Sequence, residues 1–320
     1  AALIDLLHCK LLERIDHTQL ENSPEKIVQG SPLLTPQRQP VQEESHSESS
    51  RGCTFLILDE NLRRLPLEGL ETFKDITVCR IPSLPFAIAS LWRMRDSNEN
   101  TYPSTNPSKT HYVIDPESNL LGTQERISST LSHICNVNNW DWKGTVGSIP
   151  SKSFIQDALM EEKGLYLYFG HGAGEQFFPR SDIETLMKGV TKTSQTSANQ
   201  IDHTHTLRCN SSIILMGCSS GDLVSVNTQR GSYNSTDQMH FEPEGAALSY
   251  LCAGAPCVVS NLWDVTDRDI DRFSVAMVEN LFQDNDKNIA ECVVSSRDAC
   301  KLKYIVGCAP IIYGIPVAIE

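Results

Sequence analysis

Short, almost continuously apolar runs alternate with amphipathic stretches along most of this 320-residue chain. The runs at 55–58, 111–114, 165–169, 213–216 and 257–262 predict strands that are polar on neither face and therefore covered on both. Helical spacing of apolar residues predicts helices over 154–162, 181–187, 246–251 and 270–282, the last with Ile270, Phe273, Met277 and Leu281 on one stripe. Strand, helix, strand in repetition implies an α/β fold around a mostly parallel sheet.

The pattern changes toward the ends and in four interruptions. Residues 1–29 carry Leu3, Leu7, Leu11 and Ile15 at helical spacing and are expected to form a helical segment. Residues 30–52 are rich in Ser, Pro, Gln and Glu, with almost nothing to bury, and read as a flexible linker leading into the folded part at Cys53. An Asn-, Ser- and Pro-rich stretch at 96–109 divides a small unit, 53–108, from a larger one, 109–320. Two further polar segments, 189–210 and 226–244, exceed ordinary connections and are expected to be surface loops.

Composition narrows the class. The formal charge of −13 repels phosphate backbones, so direct nucleic-acid binding is not expected. The longest nearly apolar run, 246–259, is too short for a bilayer of roughly 20 helical residues, so no membrane association is expected. Eleven cysteines, an odd number with no C-x-x-C pair, suit a reducing cytosol or nucleus.

Ligands of open α/β sheets gather at the carboxyl ends of the strands. There the run 165–169 ends in Gly170-His171-Gly172-Ala173-Gly174, and the run 213–216 ends in Gly217-Cys218-Ser219-Ser220-Gly221. Each places one reactive side chain between glycines, and the chain between them is long enough for a crossover helix. A thiol with a pKa of ~8.5 becomes a good nucleophile when a base helps it ionise, and a departing amine needs a proton. His171 suits both tasks beside Cys218, with the amides of Gly172 and Cys218 as the expected oxyanion hole.

Three other readings compete at these residues. Gly217-Cys-Ser219-Ser-Gly221 also fits the nucleophile elbow of serine hydrolases, but the histidine of that order would have to be His240, in a polar loop. His203, His205 and Cys209 resemble part of a zinc site without a fourth ligand at standard spacing. The Gly170-x-Gly172-x-Gly174 run matches neither a dinucleotide nor a P-loop fingerprint. No metal and no cofactor are expected. Beyond the run 257–262, Asp264, Asp267, Asp269 and Asp271 exceed what helix capping requires, and together suit a guanidinium.

Four ordered motifs resemble the separase family: Tyr168-Phe-Gly-His-Gly-Ala-Gly174, Leu215-Met-Gly-Cys-Ser-Ser220, Asn261-Leu-Trp-Asp-Val-Thr-Asp-Arg-Asp-Ile-Asp271 and Lys303-Tyr-Ile-Val-Gly-Cys-Ala-Pro-Ile-Ile-Tyr-Gly314. The likeness extends upstream through Leu56-Ile-Leu-Asp-Glu60, Arg80-Ile-Pro-Ser83 and His111-Tyr-Val-Ile-Asp115. The resemblance implies a caspase-like, mostly parallel sheet with helices on both faces, plus a smaller degenerate caspase-like unit at 53–108. It implies a cysteine endopeptidase with His171 and Cys218 as its dyad. Asp264, Asp267 and Asp271 become candidates for holding the arginine after which the substrate is cut. The implied substrate is the kleisin subunit of cohesin, cleaved within E-x-x-R to release sister chromatids, and the implied inhibitor is the pseudosubstrate securin. The implied location is cytoplasm and nucleus, on chromosomes or spindle in mitosis. A caspase-like peptidase of other specificity and an inactive scaffold are the alternatives.

The same motif occurs within the chain. Glu48-Ser-Ser-Arg51 lies in the linker and invites self-cleavage between Arg51 and Gly52 or occupancy of the chain's own cleft; Glu60-Asn-Leu-Arg63 follows an apolar run and is expected to be folded.

Overall fold

The structure, a computed structural model, describes residues 52–59, 61–96, 103–187, 208–225, 243–283 and 287–320. The helix expected at 1–29 and almost all of the linker therefore lie outside the described residues, as do most of the loops at 189–210 and 226–244.

The strands are β1 (Thr54–Leu56), β2 (Val78–Arg80), β3 (Ser104–Thr105), β4 (Thr110–Ile114), β5 (Lys143–Val146), β6 (Leu165–Phe169), β7 (Ser212–Leu215), β8 (Val224–Ser225), β9 (Pro243–Glu244), β10 (Cys257–Asn261), β11 (Pro310–Gly314) and β12 (Ala318–Ile319). The helices are α1 (Leu84–Asp96), α2 (Leu121–Asn138), α3 (Lys152–Met160), α4 (Arg180–Met187), α5 (Ala246–Ala253), α6 (Asp267–Gln283) and α7 (Ile289–Ser296). All five expected strands and the four helices expected between 154 and 282 are present within a few residues of their expected bounds.

Eight strands form one sheet in the order β1-β2-β11-β10-β7-β6-β4-β5. Its pairs are parallel except β10 with β11. Consecutive side chains of β6 show how both faces are covered. Leu165, Leu167 and Phe169 pack with Ile127 and Leu131 of α2 and Phe273 and Met277 of α6. Tyr166 and Tyr168 point the other way, among Ile155 of α3, Ile183 of α4 and Tyr250 of α5. The sheet continues across the division at 108/109, because β1 and β2 join the strands of the larger stretch through the pairing of Arg80 with Tyr313.

A buried ion pair anchors that junction. Arg80 is 2% exposed and donates from Nε to Glu68 Oε1 at 2.6 Å, while its other nitrogens reach the carbonyl oxygens of Arg63 and Leu65. Glu68 and the two carbonyls together satisfy a guanidinium that would otherwise be costly to bury. Arg63, the arginine of the second E-x-x-R match, is itself buried in a short 3-10 turn at Leu62–Arg64.

Candidate active site

Parallel pairing aligns the carboxyl ends of β6 and β7, with Tyr168 opposite Leu215, and the Met216 amide extends the ladder to the Tyr168 carbonyl at 2.9 Å. The two glycine-rich loops therefore leave the sheet side by side. Gly217 shows how closely they pack: a β-carbon there would stand 2.5 Å from the Gly170 carbonyl oxygen and closer still to that of Gly172. Gly172, at φ +56°, adopts the left-handed region that glycine enters without strain.

The next strand braces the cysteine loop. Asn261 Nδ2 donates to the Gly217 carbonyl at 3.0 Å, and its amide donates to Ser220 Oγ at 3.0 Å. Ser219 takes a left-handed φ of +50°, its amide donating to the Trp263 carbonyl and its hydroxyl to Asp264 Oδ1 at 2.6 Å. Cys218 is half-buried, and its thiol lies 3.3 Å from the Val265 carbonyl oxygen.

His171 is held from a third strand end. Tyr168 OH donates to the His171 carbonyl at 2.8 Å, fixing the backbone, and burial pushes the Tyr168 phenol up. The His171 ring places Nε2 3.0 Å from Asn119 Oδ1, with Glu117 Oε2 at 4.0 Å. Asn119 sits in the turn after β4, where its amide donates to Asp115 Oδ1 at 3.0 Å. Its Nδ2 donates to Glu117 Oε2 at 3.0 Å, and Gln176 Nε2 donates to Glu117 Oε1.

His171 and Cys218 line one open cavity of about 420 Å³. Gly172 and Ser219 share its wall, as do Glu175, Asp222 and Glu244, and Arg180 bridges two of these acids, at 3.6 Å from Glu175 and 3.2 Å from Glu244. A cysteine, a histidine and an open cavity thus lie together at the carboxyl ends of β6 and β7.

The aspartates expected around an arginine fall in different places, and none lines this cavity. Asp264 faces Ser219 beside the cysteine loop. Asp267 is exposed at the start of α6. Asp269 is buried and accepts the amides of Lys301 at 3.0 Å and Leu302 at 2.7 Å, so it anchors a neighbouring segment. Asp271 is 3% exposed and turns onto α2, where Thr123 Oγ1 donates at 3.0 Å and Arg126 Nε at 2.9 Å. It already holds a guanidinium, one belonging to the chain.

His203, His205 and His240 lie outside the described residues, and Cys209 is buried with its thiol on the Ser211 carbonyl at 3.7 Å. Asn119, Glu117 and Gln176 were not anticipated. The carboxyl-edge rule pointed to the turn after β4 as much as to those after β6 and β7, but that turn carries no nucleophile or histidine to draw attention.

Sheet order, the helices on both faces and the paired strand-end loops place the chain in the class of caspase-like protease domains. A family model described as the separin protease domain matches residues 4–270. The chain belongs to the separin family. It is 36% identical to separin of Schizosaccharomyces pombe over 281 residues, covering 85% of this chain and 13% of that protein. It is 32% identical to separin of Mus musculus over 267 residues, covering 83% of this chain and 11% of the relative. Among solved structures, the crystal structure of the Saccharomyces cerevisiae separase–securin complex superposes with a TM-score of 0.63 at 25% identity, over 84% of this chain and 16% of that one.

Proposed function

We propose that this chain is the catalytic region of a cysteine endopeptidase that cuts the kleisin subunit of cohesin after the arginine of an E-x-x-R motif. The observation that carries the reading is the packing of Gly217 against the His171 loop, which brings one cysteine and one histidine onto the wall of one cavity.

The chemistry follows from the groups present. His171 takes the thiol proton of Cys218, and the thiolate sulfur attacks the carbonyl carbon after the substrate arginine. The amides of Gly172 and Cys218 receive the oxyanion, a contribution of about 3 kcal/mol per donor where such groups are preorganised. Collapse of the tetrahedral intermediate breaks the C–N bond as His171 returns its proton to the departing amine. Water, deprotonated by His171, then hydrolyses the thioester and restores the thiol.

Membership in the separin family supports peptidase chemistry, and the solved yeast relative is a complex with securin, which supports securin as a partner; its role as a pseudosubstrate in this cleft follows from the family resemblance. Kleisin, the E-x-x-R motif and a site of action on mitotic chromosomes follow from the family resemblance. Of the aspartates the resemblance offers for the arginine, Asp264 and Asp267 remain candidates, because Asp271 is committed to Arg126. A peptidase of the same fold with another preference is the second reading; the absence of all three aspartates from the cavity wall favours it.

An arginyl chloromethyl ketone tests the first reading. Mass mapping is expected to find Cys218 alkylated ahead of every other cysteine, and the purified chain is expected to cut kleisin. An unlabelled Cys218 would indicate a scaffold, and labelling only by lysyl or aspartyl analogues would favour the second reading.

A further inference from the structure

His171 touches a neutral amide through Nε2, and that contact fixes which ring nitrogen is free. The Oδ1 atom of Asn119 accepts hydrogen bonds and cannot donate them. A 3.0 Å contact to it therefore requires a proton on Nε2, provided the amide is not turned over. The surroundings of Asn119 settle its orientation. Its Nδ2 lies 3.0 Å from Glu117 Oε2, where only a donor is favourable, while Gln176 holds the other oxygen of the same carboxylate. Turning the amide over would set Oδ1 against the Glu117 carboxylate, exchanging that hydrogen bond for repulsion between two acceptors. The Asn119 amide on Asp115 Oδ1 fixes the backbone from which this side chain reaches out.

We infer that Asn119 is a positioning residue that locks His171 in its Nε2–H tautomer, leaving Nδ1 as the nitrogen that takes the Cys218 proton, and that Glu117 and Gln176 act by fixing the Asn119 amide. With 47% of its side chain exposed, the His171 ring is only half enclosed, and the hydrogen bond to Asn119 fixes its orientation. Gln176 also lines the cavity, so the far end of this network lies where a substrate would sit. As the imidazolium forms, its Nε2–H remains directed at Asn119.

The inference rests on His171 as the base of the proposed peptidase, yet its test needs no substrate. The 320-residue chain labelled with ¹⁵N-histidine is examined by long-range ¹H–¹⁵N correlation at a pH where the ring is neutral, with His171→Gln identifying the signals. Nε2 is expected to carry the proton and Nδ1 to show the shift of an unprotonated nitrogen. In Asn119→Ala the two shifts are expected to converge toward averaged values, and kcat/KM to fall about 10- to 100-fold with most of the loss in kcat. Asn119→Asp, which keeps an acceptor, is expected to retain the tautomer and recover part of the rate. A proton on Nδ1 in the unsubstituted chain overturns the proposal, and that spectrum suffices even if the alanine variant fails to fold. Unchanged shifts in a folded Asn119→Ala overturn it too. An Nε2–H ring in a chain that cuts no peptide would support the inference while removing the protease reading.

Discussion

A hydrogen atom is all that fits between the α-carbon of Gly217 and the carbonyl oxygen of Gly172. Both partners are backbone, so neither can swing aside as a flexible side chain would. Gly217→Ala is therefore expected to push the cysteine loop off the histidine loop. Overpacking of this kind costs about 1–3 kcal/mol. Denaturant unfolding is expected to show that loss, and peptide cleavage to fall more than 100-fold. Wild-type activity in the alanine variant would mean that the two loops are not held together as described.

Cys218→Ser and His171→Ala are each expected to abolish cleavage while unfolding like the parent chain. Glycines and backbone hydrogen bonds set the conformation of both loops, and the two side chains contribute little to it. Members of a catalytic unit fail together, so the double variant is expected to be no slower than either single one. A single variant retaining near-normal turnover would contradict the dyad.

Arginine preference is expected to divide along the positions of the acids. Asp264→Asn and Asp267→Asn are expected to reduce kcat/KM for arginyl peptides about 10- to 100-fold, with little change for peptides bearing a neutral residue there. Asp271→Asn is expected to spare this discrimination, since its carboxylate serves Arg126 and Thr123. A loss of discrimination confined to Asp271→Asn would reverse the assignment.

Asp269 and Asp271, on the same helix, are expected to respond to acid in opposite directions. Burial works against ionisation of Asp269, but the amides of Leu302 and Lys301 and the Arg272 guanidinium outweigh it and hold its carboxyl below the ordinary 3.8. Its stabilisation is complete above that ordinary value and is lost as pH falls through the depressed one. For Asp271, burial dominates over Arg126 and Thr123 and raises the carboxyl above 3.8. Its penalty is present above the raised value and fades as pH falls toward 3.8. Urea unfolding from pH 7 to pH 3 is expected to show a shallower acid loss in Asp269→Ala and a steeper one in Asp271→Asn. Asp269→Ala is also expected to cost about 2–4 kcal/mol at neutral pH, since it orphans two backbone donors.

The linker match Glu48-Ser-Ser-Arg51 lies outside the described residues and offers a separate test. Incubation of the purified chain is expected to produce a fragment beginning at Gly52, absent in Cys218→Ser and in Arg51→Glu. An intact chain, with activity indifferent to Arg51→Glu, would dismiss both self-cleavage and self-occupancy.

The apolar pattern revealed four interior strands and the edge strand β1, but not β11, which is just as buried. The strands β4, β6, β7 and β10 are buried on both faces, so their sequences carry no polar alternation and stand out. The element β5 eluded the same test because Lys143-Gly-Thr-Val146 is a short edge strand, with Lys143, Gly144 and Val146 exposed. The helix α2 was hidden because one narrow stripe, Ile127, Leu131 and Ile134, is buried in an otherwise polar segment. Within the site, His171 and Cys218 were legible because their chemistry and their glycines coincide at strand ends. Asn119 was not: an amide in a turn becomes informative only when the ring it touches is known. The fate of Asp271 was equally invisible, because Arg126 and Thr123 belong to a helix the pattern did not disclose.

The pairing of Arg80 with Tyr313 has a consequence for the order of assembly. The strands β1 and β2 are synthesised before the rest of the sheet, yet their link to it is β11, made after all the other strands of that sheet. A nascent chain must hold the β1–β2 pair, with Arg80 and Glu68, in waiting until β11 emerges to sit between β2 and β10. Contacts this distant in sequence are slow to form. A polypeptide interrupted before Pro310 would carry both halves of the sheet with raw edges facing each other, a species suited to aggregation and to capture by chaperones.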